Sequence, residues 1–280
     1  MKYRVELPGP IDLPLSVERF RRWGDDLVDR WDGRVWRRAL PLPWAATVVG
    51  PATVDVVTSG RRRVEVADFV VQEPIGALAA VDPVVDRMST LYAGLRPVLE
   101  RDPLTAIIRA ISAQQVNLKW ACTTRRRLVE AFGSAHTVAG GEVWSFDVAR
   151  LATADPADIR ALQFTTKKAE FIVAAARAAA AGELELASFD PLDDDQVVER
   201  LVALPGVGRW TADWFLARTL GRPVVVAGDL GVRKAVGMAY FGGRMPSEAE
   251  VRAATAHWGP AAGVAQQLLL HGLGEGTLTA

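Results

Sequence analysis

The sequence predicts an α+β protein, in which a small antiparallel sheet domain with one helix precedes a mostly α-helical domain. Two observations lead to this. Up to about residue 85 the chain is rich in strand-forming residues broken by turns, and beyond that point apolar residues recur at spacings of three and four. Half of the 280 residues are hydrophobic, which suits a globular chain with two cores. We therefore expect domains over 1–85 and 86–280.

The individual elements follow from local patterns. Strands are expected at 34–40, 45–49, 53–58 and 63–71, and a helix capped by Ser16 at 17–31. Helices are expected at 84–95, 104–132, 156–162, 167–181, 193–201, 209–220, 230–241, 247–258 and 262–273. Pro103 and Pro156 are suited to the first turn of their helices, and the long segment from 104 can hold two helices.

Charge and cysteine content narrow the class of protein. Lys plus Arg and Asp plus Glu both number 33, so any nucleic-acid signal has to be local, and basic runs do occur at 105–133 and 160–182. Cys122 is the only cysteine, which excludes an intrachain disulfide and an iron–sulfur cluster held by several cysteines. With no long apolar run and no apolar leader, we expect a cytoplasmic protein without a membrane partner.

A glycine hairpin at 202–213 is the most specific motif. In Leu204-Pro-Gly-Val-Gly-Arg209, Gly206 and Gly208 permit tight turns and close approach between two predicted helices. Amides at the start of the second helix favour an anion such as a DNA phosphate. Two glycines alone would also fit an ordinary turn between helices.

The hairpin and two further segments resemble a known family. The string from Leu204 to Ala212 is similar to the signature of the helix-hairpin-helix DNA glycosylases, and segments 111–117 and 162–170 resemble the parts of that family that enter the lesion site and precede its middle helix. The strand-rich start resembles the bacterial 3-methyladenine DNA glycosylase II (AlkA) type. The resemblance spans nearly the whole chain and is weakest over the first 85 residues.

The resemblance implies how the hairpin binds DNA. The positions that would contact the DNA backbone are Gly206, Gly208, Arg209 and Thr211. The carbonyls that would hold a structural Na⁺ or K⁺ belong to Val202, Leu204 and Val207. Catalysis would need no cofactor. Among the basic residues after segment 111–117, Arg125 is expected to meet a phosphate.

Asp229 is the candidate catalytic residue. On its own it would be interpreted as the N-cap of the helix at 230–241. A carboxylate there can also stabilise the positive charge that develops on a sugar during N-glycosidic cleavage, and it can orient water. The resemblance places the catalytic acid at this position. Asp213, the nearest rival, is expected to be structural.

The residue at 210 predicts the type of reaction. Family members that also nick the strand use a lysine there to form a Schiff base, and this chain has Trp210. We therefore expect hydrolytic base removal that leaves an abasic site, without lyase activity.

The extruded base needs a wedge and a pocket. Gln115 stands at the family's wedge position, where the AlkA type typically has leucine. Trp210 and Trp214 share a helix face and are expected to line the pocket, where indole faces attract a cationic alkylated base. Leu273 occupies the place of a further aromatic residue. A structural interpretation is also open for these residues: Gln115 could belong to a polar patch on a helix, and the tryptophans could simply pack in the core.

The function expected from these residues is excision of alkylated purines, of the 3-methyladenine and 7-methylguanine type, from double-stranded DNA by a nucleoid-associated monomer. Two alternatives stay open: a non-catalytic DNA-binding protein that uses the same hairpin, and a glycosylase for deaminated or etheno bases.

Overall fold

The computed structural model describes residues 1–279 and confirms the α+β architecture. A five-stranded antiparallel sheet with the order β1-β5-β4-β3-β2 forms the N-terminal part. Its strands are β1 (Lys2–Glu6), β2 (Asp29–Trp31), β3 (Val35–Arg38), β4 (Trp44–Gly50) and β5 (Thr53–Thr58). Three predicted strands are confirmed by β3, β4 and β5, whereas β1 and β2 lie outside the predicted set. Buried aromatic rings pack on one face of the sheet, and the ring centroids of Trp36 and Trp44 are 5.0 Å apart.

Two local predictions in this part are wrong. The helix expected at 17–31 is replaced by α1 (Leu13–Val17) and α2 (Arg19–Arg22), because Asp12 caps α1 by accepting from the Leu15 N–H at 2.9 Å. Ser16 lies inside α1 and is not its cap. The strand expected at 63–71 contains a 3₁₀ turn at Val66–Phe69 instead.

The remainder of the chain is mostly helical, as predicted. Its helices are α3 (Gly76–Ala79), α4 (Pro83–Leu91), α5 (Pro103–Ala113), α6 (Leu118–Phe132), α7 (Val148–Ala152), α8 (Pro156–Ala161), α9 (Thr166–Ala180), α10 (Asp194–Val202), α11 (Arg209–Phe215), α12 (Leu230–Tyr240), α13 (Glu248–Thr255) and α14 (Ala262–Glu275). Shorter 3₁₀ turns lie at Leu186–Phe189 and Ala256–Ala261, and a π-helical turn at Leu216–Leu220 follows α11. Within residues 1–279, no helix is long and apolar enough to cross a bilayer.

The long segment from 104 divides into α5 and α6 at a loop over 114–117. Asn117 begins α6 by accepting from the Trp120 N–H at 2.8 Å. This cap stops α5 from continuing and leaves Gln115 in the loop between the two helices.

A hairpin of β6 (Gly133–Val138) and β7 (Gly141–Phe146) interrupts the helices and was absent from the sequence-based expectations. Ala139 and Gly140 both have positive φ, the pattern of a tight two-residue hairpin turn. The hairpin packs on the N-terminal sheet, and the Trp144 N–H donates to the Leu27 carbonyl at 2.8 Å. It therefore joins the two parts of the molecule.

A cluster of buried ions also joins the two parts. Asp26 and Asp29 precede and begin β2, and both face Arg109 of α5, at 2.9 and 2.7 Å respectively. Arg38 of β3 pairs with Asp29, and both side chains are at least 95% buried. The sheet and the helices are thus held together by charges as well as by apolar packing.

Candidate active site

Asp229 lies at the N-terminus of α12, where one of its oxygens caps the helix. Its Oδ1 accepts from the Val232 N–H at 3.0 Å, and its backbone is extended, as expected for an N-cap. The loop before it is anchored because buried Gln266 accepts from the Val226 N–H at 2.8 Å through its side-chain oxygen.

The second carboxylate oxygen accepts from two indole groups. Trp210 and Trp214, one turn apart on α11, donate from Nε1 to Asp229 Oδ2 at 2.9 and 3.3 Å. Within residues 1–279, the donors to this carboxylate are thus all neutral N–H groups. They orient the half-buried anion without cancelling its charge, which leaves it able to stabilise a nearby cation.

Asp213, unlike Asp229, is paired with cationic side chains. Its side chain is only 2% exposed, and it accepts from Arg209 Nε at 2.7 Å, one helical turn away, with Arg252 within 3.7 Å. Because its charge is already paired, the geometry supports a structural role for Asp213.

The three predicted pocket residues lie on one hydrophobic core. Trp210, Trp214 and Leu273 are each partly buried against the core formed by α4, α12 and α14. Leu270 is partly buried on the same core and lies near the start of α12, since a Cβ added at Gly231 would be 3.3 Å from its side chain. Sequence reasoning missed Leu270, although it precedes Leu273 by three positions and so shares its helix face.

The hairpin adopts the tight turn that its glycines permit. Gly206 has a φ of +80°, and a Cβ there would come within 2.2 Å of the Phe171 ring of α9. Gly208 begins α11 without any side-chain cap, and a Cβ there would meet nothing within 4 Å. The first amides of α11 are therefore reachable from outside.

The other predicted hairpin residues differ in exposure. Arg209 has a side chain that is 54% exposed, whereas Thr211 is buried, so only the backbone of Thr211 is suited to a DNA contact. Val202 ends α10, and the Leu204 carbonyl accepts from the Val207 N–H at 3.1 Å. Carbonyls at a helix C-terminus carry partial negative charge, which suits a cation.

Gln115 projects from the loop between α5 and α6. It is exposed, and its φ of +56° lies in the left-handed region that side chains rarely adopt. Lys168 of α9 holds the start of this loop by donating to the carbonyls of Ser112 and Gln114 at 3.0 and 2.7 Å. The Gln114 side chain in turn donates to the Gly206 carbonyl at 3.0 Å, which ties the loop to the hairpin.

Three exposed apolar side chains follow Gln115 in the chain, and the sequence analysis did not single them out. Val116, Leu118 and Trp120 are 37%, 47% and 38% exposed. The Arg127 guanidinium lies 5.5 Å from the Trp120 ring centroid. The signal in the sequence was the alternation of apolar and polar residues in Gln115-Val-Asn-Leu-Lys-Trp120, beside the predicted wedge residue.

The structure places Arg125 differently from the prediction. Its Nε donates to buried Asp26 at 3.0 Å and its Nη1 to Ser112 Oγ at 2.9 Å, and the side chain is 11% exposed. Its guanidinium is therefore part of the ion cluster between the two parts of the molecule, and is not placed to meet a phosphate.

Comparison with known proteins defines the class. The model of the HhH-GPD superfamily base excision DNA repair proteins matches residues 108–261, more than half of the chain, and the chain belongs to this family. It is 28% identical to a DNA-3-methyladenine glycosylase of Bacillus subtilis over 66% of this chain and 62% of that protein. It is 31% identical to DNA-3-methyladenine glycosylase 2 of Escherichia coli over 49% of this chain and 48% of that protein.

The fold as a whole has a solved counterpart. A 3-methyladenine DNA glycosylase from Archaeoglobus fulgidus superposes with a TM-score of 0.84, at 26% identity, over 97% of this chain and 98% of that one. The sequence match to the Bacillus subtilis protein spans about six tenths of that protein's length. The matched family region contains Gln115, the hairpin and Asp229, and leaves out Leu273.

Proposed function

We propose that this protein is a DNA glycosylase that flips alkylated purines out of duplex DNA and removes them by hydrolysis, as the first step of base excision repair. In this proposal it acts as a monomer associated with the nucleoid. The names of the relatives from Bacillus subtilis, Escherichia coli and Archaeoglobus fulgidus support this substrate class.

The observation that carries the proposal is the hydrogen bonding of Asp229. Two indole N–H groups and one backbone N–H hold the carboxylate, and none of them neutralises it. As the bond between sugar and base breaks, positive charge grows on the sugar, and an anion oriented in advance lowers the barrier. The same carboxylate is suited to accept a proton from the attacking water.

The hairpin and the loop around Gln115 are the proposed DNA-binding elements. The open space at Gly208, the first amides of α11 and exposed Arg209 suit a phosphate. Gln115 projects beside this surface and would fill the gap left by the flipped nucleotide, where its amide could hydrogen-bond the orphaned base. Lys168 and Gln114 would fix the position of the Gln115 loop relative to the hairpin.

The base would rest against Trp210, Trp214, Leu270 and Leu273. A purine alkylated on a ring nitrogen is cationic, and indole rings attract cations. Its glycosidic bond is already weak, so a separate acid to protonate the leaving base is unnecessary. The Trp210 side chain is not a nucleophile, so the reaction would end at an abasic site without strand cleavage.

A monovalent cation would fit the hairpin. The carbonyls of Val202, Leu204 and Val207 belong to the end of α10 and the turn after it, and oxygen ligands at a helix C-terminus favour a cation. Na⁺ or K⁺ there would stiffen the turn that presents the α11 amides. We expect a higher melting temperature in KCl than in choline chloride of equal ionic strength.

The proposal is tested by incubating the protein with duplexes that carry 3-methyladenine, 7-methylguanine, hypoxanthine, ethenoadenine or uracil, followed by alkali to reveal abasic sites. We expect release of the two methylated bases and no nicking before alkali. If none of the five bases is released while the damaged duplexes are bound, the protein is a DNA-binding protein and the enzymatic proposal is refuted.

A further inference from the structure

Arg218 is a half-buried cation whose hydrogen-bonding capacity is only partly used. It lies in the π-helical turn Leu216–Leu220 that follows α11. Its Nη2 donates to Gln267 Oε1 of α14, whereas its Nη1 is buried and has no hydrogen-bond partner among residues 1–279. Buried donors are rarely left unpaired, because a buried N–H without a partner has lost its hydrogen bond to water and gained none in return.

Ion pairing does not explain why Arg218 is held at this position either. Within the described chain it forms no ion pair with a carboxylate, and the charged group that affects it is Arg19 of α2. Burial, followed by repulsion from Arg19, holds the pKa of Arg218 well below its usual range. Arg38 and Arg109 are held by ion pairs with acids. Among the described residues Arg218 has no such pair, so a structural ion pair does not explain its position.

The position of Arg218 links it to the reaction site. Its Cζ lies 5.4 Å from the centroid of the Trp214 ring, and the Nε1 of the same ring donates to Asp229. The Trp214 ring thus lies between Asp229 and the Arg218 guanidinium, so a base whose sugar lay against Asp229 and which stacked on this indole would be near the guanidinium. The π-helical turn supplies a second, independent sign, since such turns often mark functional sites.

We propose that Arg218 determines which purine the pocket prefers, with Nη1 donating to an acceptor on the base. The acceptor that suits it is the 6-oxo group: guanine presents O6 as an acceptor, and arginine is its usual partner, whereas adenine presents an amino group at that position. This rests on the proposed glycosylase function. It predicts a preference for 6-oxo purines, such as 7-methylguanine and hypoxanthine, over 6-amino purines such as 3-methyladenine.

Methylated duplex DNA offers an internal comparison, because it carries 7-methylguanine and 3-methyladenine together and both are cationic. Repulsion by Arg218 therefore acts on both, and the ratio of their release rates removes this shared effect from the comparison of variant with wild type. In Arg218→Met we expect the ratio of 7-methylguanine to 3-methyladenine release to fall about 10-fold or more, as for a lost hydrogen bond from a charged group. Hypoxanthine release should fall with it.

Two further variants complete the test. Arg218→Lys keeps a charged donor and should restore part of the ratio, and Arg4→Met, an exposed arginine on β1, should leave it as in the wild type. Melting temperatures and affinity for an abasic duplex show whether Arg218→Met is folded. A ratio that Arg218→Met and Arg218→Lys both leave unchanged overturns the role of Arg218. Release of neither base by the wild type would instead overturn the proposed function.

Discussion

Two groups of carboxylates in this molecule have opposite surroundings. At the junction of sheet and helices, Asp26 and Asp29 are surrounded by the guanidinium groups of Arg38, Arg109 and Arg125. At the candidate active site, the donors to Asp229 among the described residues are indole and backbone N–H groups. In the first arrangement the negative charges are neutralised by ion pairs that join two parts of the fold.

The second arrangement leaves that charge available. A neutral donor fixes the direction of a carboxylate, but it does not supply the compensating charge that a guanidinium does. Asp213 sharpens the contrast, because it lies only one helical turn from Trp210 and yet is paired with Arg209. Proximity to the hairpin therefore does not distinguish the proposed catalytic carboxylate from Asp213, whereas the hydrogen-bond donors do.

The largest expected effect concerns Asp229. In Asp229→Asn the charge is lost while the shape is kept, and we expect the single-turnover rate of base release to fall by about 10²–10⁴-fold. Affinity for an abasic duplex should persist. The matched control is Asp213→Asn, which should lower the melting temperature and leave the rate per folded molecule within about tenfold of the wild type. Equal rate losses in the two variants would contradict the distinction.

The next largest effect concerns stability. Asp29→Asn removes the carboxylate between Arg38 and Arg109, and breaking a buried pair in this way costs about 3–5 kcal/mol of unfolding free energy. Urea denaturation measures the change. Asp55→Asn, which removes an exposed pair with Arg4 on the sheet surface, is the control and should cost far less. Similar losses in both variants would show that the ion cluster does not hold the two parts together.

The same cluster predicts how stability responds to acid. Burial alone would raise the pKa of Asp29, but the guanidinium groups of Arg38 and Arg109 hold this pKa down at about 2. The stabilisation is therefore complete above the unfolded pKa of about 3.9 and is lost as the pH falls toward 2. Between pH 5 and pH 2 the wild type should lose about 2–3 kcal/mol more than Asp29→Asn. Parallel pH curves would argue against a depressed pKa.

The smallest effect concerns the two indole donors. Trp210→Phe and Trp214→Phe keep an aromatic ring and remove one N–H each, so Asp229 loses part of its orientation. We expect base release to slow by about 3- to 10-fold, more for Trp210, whose hydrogen bond is shorter at 2.9 Å against 3.3 Å. Single-turnover rates of base release from one lesion show which variant is slower. A larger loss in Trp214→Phe than in Trp210→Phe would show that Trp214 is the more important donor to Asp229.

Much of the site could be predicted because its parts lie close together in the chain. Gly206, Trp210, Trp214 and Asp229 fall within a single stretch, and helical spacing alone puts the two tryptophans on one face. Most helices were predictable for a similar reason, since three- and four-residue spacing is a local signal. Strand β1 was harder, because its partner β5 lies about fifty residues away.

What could not be predicted depends on distant partners. Arg125 looked like a phosphate ligand because its acid, Asp26, is 99 positions away in the chain. Lys168 looked like one more basic residue, whereas it holds carbonyls 54 and 56 positions earlier and so supports the loop at Gln115. A single sequence shows which side chains carry charge, but only the fold shows which charges are already paired.

The claim that Asp229 faces a developing sugar cation can be measured without any chemistry. Two abasic-site duplexes are compared, one with a neutral tetrahydrofuran sugar and one with a cationic pyrrolidine ring in the same position. The wild type should bind the cationic duplex at least about tenfold more tightly, and Asp229→Asn should bind both alike. If Asp229→Asn kept the full preference for the pyrrolidine duplex, the charge would be recognised elsewhere and the account would be wrong.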